Sequence, residues 1–384
     1  MRPAAQLQKV RSSYIRDILS AASAPGMLSL AGGLPPESGF PLHLLKGHFA
    51  GITARPELFQ YGDSRGYAPL RDFLSELYGL TAGQDLLITS GSQQGLDLVA
   101  RAFLNTGDSV VVEAPSYLGA LQVFQLAGAR LCPVQQTPAG PDLAQLERLF
   151  CEQHPRLFYA VPDFHNPTGC CWALETRQAV AALCRRHDVT LVEDAPYREL
   201  RFQGEDLPMV ADFCPERALI LRSTSKIAMP ALRLASLSGP KAWLLPLEKV
   251  KQSTDLHSNV PLQATLLAVL SHREFAGHLA GLRQLYKRRY QALADALSQG
   301  HLTGQAVSGG MFLWVHLDDV NPAELAQRCL HRGVAVVPGS AFYSEEEQNI
   351  SALRLNFTHL EEGLLRDAAG VILEEFHAAR KERA

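Results

Sequence analysis

From about Leu86 onward, short apolar runs alternate with longer amphipathic ones. "DLLIT" leads into "SQQGLDLVARAFL", and "SVVVE" leads into "SYLGALQVFQLAG". "RLFYAVP" precedes "ALETRQAVAALCRRHD", and "VTLVED" and "ALILRS" follow. The short runs are rich in β-branched residues and read as strands; the longer ones place apolar residues at helical spacing. Strands alternating with helices predict an α/β protein with a largely parallel sheet covered on both faces. Between about Lys241 and Leu297 the pattern is mainly helical. After Gly309-Gly310 it changes to "MFLWVHL", "ELAQRCLHRG", "VAVVP", "LRLNF" and a closing helix, which reads as a smaller α+β domain.

The chain before about Arg65 is rich in Gly and Pro, as in "LSLAGGLPPESGFP" and "LFQYGDSRGY", and reads as an extended arm with turns. Its first residues, "MRPAAQLQKVRSSYIRDILSAAS", form an amphipathic, charge-broken helix candidate rather than a secretory signal. The organisation expected is an arm at 1–50 joined to part of the smaller domain, a large domain at 51–285 and a small domain at 286–384. A length of 384 residues suits such a two-domain arrangement better than one small core.

Composition narrows the function classes. Hydrophobic residues make up 47% and charged residues 20%, as in ordinary soluble globular proteins. A net charge of −3 gives no footprint for nucleic acid or an anionic membrane, and "YKRRY" at 286–290 reads as a solvated helix face. No run of about 18 uncharged apolar residues marks a membrane span. The seven cysteines are irregularly spaced without a CxxC pair, so no zinc cage or other metal site is expected, and a reducing, cytoplasmic setting is.

In open α/β sheets, ligands bind outside the carboxyl ends of the strands. Five polar clusters fall where such ends are expected. "TSGSQQG" (89–95) offers small residues and a helix start, suited to an anion through backbone N–H groups and the helix dipole, or to simple capping by Ser90 or Ser92. It is neither GxGxxG nor a P-loop. "EAPSY" places Tyr117 where it stacks on a planar ring or packs a helix start. "VPDFHNPTG" holds Asn166 against Pro167, either to bond a phenolic oxygen or as a plain turn; a lone His165 reads as peripheral. "VEDAPY" ends an apolar strand on Asp194, a carboxylate that needs a cation or donors, or caps a helix, with Tyr197 three residues on. "STSKIAMPALRL" surrounds Lys226 with Ser223 and Ser225 and follows it with Arg233. Two snorkelling side chains at a core edge would fit this last stretch. So would an amine made nucleophilic by burial and a guanidinium that favours its neutral form while clamping a phosphate. Together the five clusters supply the groups that hold pyridoxal phosphate on a lysine.

The ordered motifs "GSQQGLDL", "VVEAPSY", "NPTG", "VEDAPY", "STSKIAMPALRL" and "LRLNF" resemble the class I/II aminotransferases of the fold-type I pyridoxal phosphate enzymes. "IRDIL", "GMLSLAGGLPPESGFP" and "LFQYGDSRGYAPLRDFL" are similar to the LysN-type 2-aminoadipate and kynurenine/aminoadipate aminotransferase subgroup. The resemblance runs nearly end to end. It implies a large domain with a mostly parallel seven-stranded sheet flanked by helices. It also implies pyridoxal 5'-phosphate as cofactor and transfer of an amino group from an L-amino acid of 2-aminoadipate, aromatic or branched-chain type to 2-oxoglutarate, by a ping-pong mechanism. On this resemblance Lys226 is the Schiff-base lysine and proton shuttle, Asp194 keeps the pyridine nitrogen protonated, and Asn166 and Tyr197 bind the phenolic oxygen. Tyr117 stacks on the ring, while Ser92, Gln93, Ser223, Ser225 and Arg233 hold the phosphate. Tyr61 reaches the phosphate of the neighbouring subunit of a homodimer. Arg354 grips the substrate α-carboxylate, Gly33 lies beside the substrate, and Arg16 contacts acidic side chains or is a solvated helix arginine. His165, Ala195 and Ala231 stand where the family often has Gln, Asp and Gly; none of these removes a required group.

Three other readings follow from the same residues. One is a lyase or decarboxylase on the same fold. Another is a non-catalytic, effector-binding protein like the aminotransferase-like half of some transcription regulators. The family pattern begins within the first 30 residues, where such regulators carry a DNA-binding domain, and the chain is not basic. The third is a cofactor-less interaction protein, against which the complete set of site residues argues.

Overall fold

A computed structural model describes residues 26–344 and 350–383, together with positions 2, 7 and 24. Arg16 and the rest of the amino-terminal helix candidate lie outside the described residues. The first paired segment is the short strand Leu28–Ser29 (β1). The main sheet follows: Gln84–Thr89 (β2), Ser109–Ala114 (β3), Arg130–Thr137 (β4), Gly140–Pro141 (β5), Leu157–Ala160 (β6), Thr190–Asp194 (β7), Ala218–Ser223 (β8) and Ala235–Pro240 (β9). Their order is β2-β9-β8-β7-β6-β3-β4-β5. Neighbours from β8 across to β4 are parallel. Only β9 runs against its neighbours within the body of the sheet, and β5 is a two-residue hairpin stub on β4. The seven strands expected are therefore present, with the stub as an eighth.

The strands read as continuous apolar runs because both faces are covered. Alternate residues of β3 show it: Val110 and Val112 pack into one core with Leu96 and Val99 of the helix Ser92–Phe103. Val111 enters a second core with Phe150, Val180 and Cys184, beneath the helix Leu174–Arg186. Two strands escape the periodicity. In β4, Pro133 interrupts the run, yet the strand has only the β5 stub on its outer side, where a missing N–H costs little. In β9, "ASLSGP" is built of small residues, with Ser236 and Ser238 buried inside the sheet.

The carboxyl-terminal part contains Phe312–His316 (β10), Val334–Ala335 (β11), Val337–Pro338 (β12) and Ala352–Asn356 (β13). β13 lies between β10 and β12, antiparallel to both, so Arg354 sits in the middle strand opposite Trp314 and Val337. The run "VAVVP" is broken at Val336 into two short strands, and β11 pairs with β1. The segment read as an extended arm is more ordered than its Gly and Pro content suggests. Between Glu37 and Phe59 it forms short helical turns that bury Leu44, Leu45, Ile52 and Leu58, the last two against Val260 and Ala264. No helix among the described residues is long and apolar enough to cross a membrane.

Every cluster singled out in the sequence follows a strand of the main sheet at its carboxyl end: Thr89, Ala114, Ala160, Asp194 and Ser223 all end on one edge. The loop after β6 is held from below by Asp163, three residues before Asn166. Asp163 is buried and takes Arg177 at 2.7 Å, Arg198 at 3.0 Å and Arg201 at 3.4 Å. Arg177 is itself fully buried, so removing the carboxylate strands its charge. Asp163→Ala is expected to lower stability by about 3–5 kcal/mol, read from urea unfolding, whereas a loss of under about 1 kcal/mol would contradict this role.

Candidate active site

A cavity of about 630 Å3 opens at that edge, between the main sheet and the strand β13. Of the described residues to which the resemblance gives a role, all but Tyr61 line it, whereas Ser90 and His165 do not; Arg16 lies outside the described residues. Tyr61 stands 80% exposed on the surface, edge-on to His257.

One end of the cavity is an anion cup. Gly91 caps the helix Ser92–Phe103 at φ 82°, so Ser92 is the first helical residue, where unpaired N–H groups and the helix dipole favour negative charge. Ser92 does not cap the helix; its Oγ is buried without a hydrogen-bond partner. Ser90 turns away instead, to Asp255 and Ser258. Arg233 adopts a left-handed backbone, φ 52°, after the turn Pro230–Leu232, and Ala231 is accommodated in that turn. A Cβ on Gly91 would lie 2.5 Å from Arg233 Nη2, so glycine is what lets the guanidinium reach the cup. Ser223 Oγ accepts from Ser225 N at the end of β8.

Tyr117 forms one wall. Its hydroxyl donates to Gln93 Oε1 at 3.3 Å, and Gln93 Nε2 donates to the Gly119 carbonyl at 3.0 Å. A side chain on Gly119 would meet Tyr117 Cζ at 2.6 Å. Across the cavity, Asp194 ends β7 buried. Tyr159 donates to its Oδ2 at 2.9 Å, while Oδ1 has no partner. Burial raises the Asp194 carboxyl to about 7 against the opposing pull of the Tyr159 bond. A buried carboxylate with one free oxygen facing a cavity calls for a cationic N–H there.

Lys226 Nζ donates to the Gly33 carbonyl at 2.8 Å, and no carboxylate pairs with it among the described residues. Burial first, then the charges of Arg233 and Arg354, lower the amine to about 8. Arg354 is 4% exposed, so it is no surface arginine. Its guanidinium lies between the rings of Phe312 at 4.5 Å and Phe342 at 4.7 Å. It donates through Nη1 to Asn166 Oδ1 at 3.0 Å and through Nη2 to the Ala31 carbonyl, and its Nε is buried without a partner. Asn166 follows the strand-end loop with a cis bond to Pro167 and points Nδ2 at the Tyr197 hydroxyl, 3.4 Å away. Burial pushes the Tyr197 hydroxyl up.

The groups left wanting partners match pyridoxal phosphate in kind: an anion cup, an aromatic wall, a carboxylate oxygen for a ring N–H, and an amine lowered to about 8, so that a fraction of it is neutral near physiological pH. Three contributors escape sequence reading. Tyr159 and Phe312 sit in apolar runs and read as core, and Phe342 sits in the turn "GSAFYS", which carries no functional pattern. Only their partners, Asp194 and Arg354, reveal them. Gly91→Ala is expected to displace Arg233 and weaken cofactor retention about tenfold or more, measured as the dissociation constant for pyridoxal phosphate. Unchanged affinity would remove Arg233 from the cup.

Comparison with known proteins agrees with this geometry. The family described as "Aminotransferase class I and II" matches residues 37–372. A 2-aminoadipate transaminase from Thermus thermophilus is 37% identical over 368 residues, covering 92% of this chain and 91% of its own length. The structure of a Pyrococcus horikoshii kynurenine aminotransferase in complex with PMP superimposes with a TM-score of 0.93 at 33% identity, over 98% of this chain and 97% of that one. LysN, the α-aminoadipate aminotransferase of Thermus thermophilus, gives 0.92 at 33% identity over 99% and 98%. The chain thus belongs to the class I and II aminotransferases, as a pyridoxal 5'-phosphate-dependent transaminase of fold type I.

Proposed function

We propose that this aminotransferase moves the amino group of an L-amino acid of 2-aminoadipate, aromatic or branched-chain type to 2-oxoglutarate by a ping-pong mechanism. The observation that carries the reading is the convergence on one cavity of Lys226, Arg354, Arg233 and the free oxygen of Asp194. Bound pyridoxal phosphate supplies an aldehyde that bonds to amines and a ring that draws electrons from the substrate's Cα. Ser92, Gln93, Ser223, Ser225 and Arg233 hold its phosphate, with Tyr117 against the ring and Asn166 and Tyr197 toward the phenolic oxygen. Asp194 Oδ1 holds the proton on the ring nitrogen. Lys226 Nζ, neutral in a useful fraction near pH 8, would take the proton from Cα and deliver it to the cofactor's C4′, so that the amino group stays with the cofactor. Arg354, oriented by Asn166 and two aromatic rings, binds the α-carboxylate, and Gly33 lies alongside.

Substrate choice is read from the remaining walls. Leu34, Leu118 and Phe342 suit apolar and aromatic side chains. Apart from Lys226, Arg233 and Arg354, no cation lines the cavity among the described residues; the resemblance of "SSYIRDIL" assigns a distal carboxylate to Arg16. The names of two relatives, a 2-aminoadipate transaminase and a kynurenine aminotransferase, fit such breadth. The protein acts as a cytoplasmic homodimer in which Tyr61 reaches the partner's phosphate; the exposed rings of Tyr61, Phe49 and Phe59 support that pairing. Its parts are the arm 1–50, the large domain 51–285 and the small domain 286–384.

Two measurements test the reading. In a panel of donors with 2-oxoglutarate, Arg16→Ala should lower kcat/KM for 2-aminoadipate about tenfold or more and leave leucine and aromatic donors within about twofold. An equal loss for all donors would sink the acidic-substrate role. Because only the neutral amine attacks an aldehyde, uptake of pyridoxal phosphate by cofactor-free protein should speed up as pH rises through about 8 and then level off. A rate still climbing toward the ordinary lysine value of 10.5 would show that Lys226 is not the reacting amine.

A further inference from the structure

The reaction makes no use of His165, which does not line the cavity but is fully buried, next to Asn166. Its backbone closes the loop, with His165 N donating to the Cys170 carbonyl at 2.8 Å and Gly169 N to the His165 carbonyl at 2.6 Å. Its ring joins a chain of hydrogen-bonded side chains. Nδ1 lies 2.9 Å from Thr168 Oγ1, Thr168 Oγ1 donates to Gln136 Oε1 at 2.8 Å, and Gln136 Nε2 donates to Glu113 Oε1 at 3.0 Å. Glu113, 1% exposed, also accepts from Trp172 Nε1 at 3.1 Å and, on Oε2, from Val161 N at 2.9 Å. The circuit nearly closes on itself, since Glu113 Oε2 is 3.5 Å from His165 Nε2.

Counting hydrogens locates the missing one. Thr168 has a single hydroxyl hydrogen, and the Gln136 carbonyl oxygen can only accept it. Thr168 therefore accepts from His165, so Nδ1 carries a hydrogen and Nε2 of the neutral ring is a lone pair. That lone pair is buried without a hydrogen-bond partner and faces a carboxyl oxygen. A neutral imidazole beside an ionised carboxylate would set two acceptors against each other and bury a net negative charge, both costly. We propose that Glu113 is protonated and donates its hydrogen to His165 Nε2, and that this shared hydrogen fixes the loop that carries Asn166. Burial acts in the same direction on both partners, raising the Glu113 carboxyl to about 8 and lowering the His165 imidazole to about 3. No charged side chain forms an ion pair with either group among the described residues. Cys170 and Tyr159, the titratable neighbours that feel Glu113, are themselves pushed up by burial and stay neutral. Asn166, set by this loop, presents Oδ1 to Arg354, so the pair acts as positioning residues for the carboxylate site.

The holoenzyme labelled with 15N-histidine reads the hydrogen directly, with the His165 signal assigned by its loss in His165→Gln. From about pH 5 to about 7, below the raised Glu113 carboxyl and above the lowered imidazole, Nδ1 should remain protonated and Nε2 should remain a hydrogen-bonded lone pair, without titrating. Glu113→Ala should shift the Nε2 signal to that of an unbonded ring nitrogen. An imidazolium pattern, an Nε2–H tautomer, or titration within that range overturns the proposal. Steady-state kinetics give the positioning readout. His165→Leu should raise KM for the amino acid about tenfold with a smaller change in kcat, and His165→Gln, whose Oε1 can accept the Glu113 hydrogen, should recover most of the loss. Equal KM values for the Leu and Gln variants would contradict it. The spectra stand independently of any substrate assignment, so they fail or succeed apart from the proposed reaction.

Discussion

Charge without a partner, held away from water, is what the rest of this molecule is arranged around. Lys226, Arg354 and the free oxygen of Asp194 meet in a cavity where none is neutralised by an opposite charge from the described residues. In water such groups would be solvated at little cost; here each raises the free energy of the ligand-free protein and lowers that of any ligand that completes it. The same burial that leaves the groups wanting also tunes them. It moves the Lys226 amine down to about 8 and the Asp194 carboxyl up to about 7. The chemistry of amine and aldehyde then proceeds near neutral pH without any unusual side chain.

The sheet makes this arrangement affordable. Five neighbouring parallel strands, covered on both faces, deliver their carboxyl ends to one edge, so residues far apart in sequence arrive together. A second layer of contacts fixes the loops. Asp163 gathers Arg177, Arg198 and Arg201 beneath the β6 loop, and the buried Lys251 Nζ bonds Asp255, Gln94 and Ser258 behind the anion cup. The small antiparallel sheet contributes one side chain of consequence, Arg354, from its middle strand. Two aromatic rings and Asn166 hold that guanidinium, so the two sheets share one site rather than each having its own.

How much of this could be read in the sequence depended on the kind of signal. β3, β6, β7 and β8 are largely apolar runs, and the polar residues at their carboxyl ends or in the loops that follow, Tyr117, Asn166, Asp194 and Ser223, mark the site. β4 and β9 are not apolar: Pro133 and the serines of "ASLSGP" carry no period, and only pairing with stronger neighbours makes them strands. The arm before Arg65 is legible in its turns but not in its packing, because Leu44, Leu45, Ile52 and Leu58 are too sparse to show a period. Single-residue roles split along the same line. Lys226, Asp194 and Arg233 stand out as charges in apolar surroundings. Tyr159, Phe342 and the Glu113–His165 pair act through partners distant in sequence, which no local pattern reveals.

The central claim is that the cofactor is bonded to Lys226 and to no other amine. Reducing the holoenzyme with borohydride makes that bond permanent, and peptide mass spectrometry then finds the lysine that carries the added phosphopyridoxyl group. The account predicts the label on the peptide containing Ser223, Ser225 and Lys226. A label on Lys251 or on a surface lysine, with Lys226 unmodified, would contradict it.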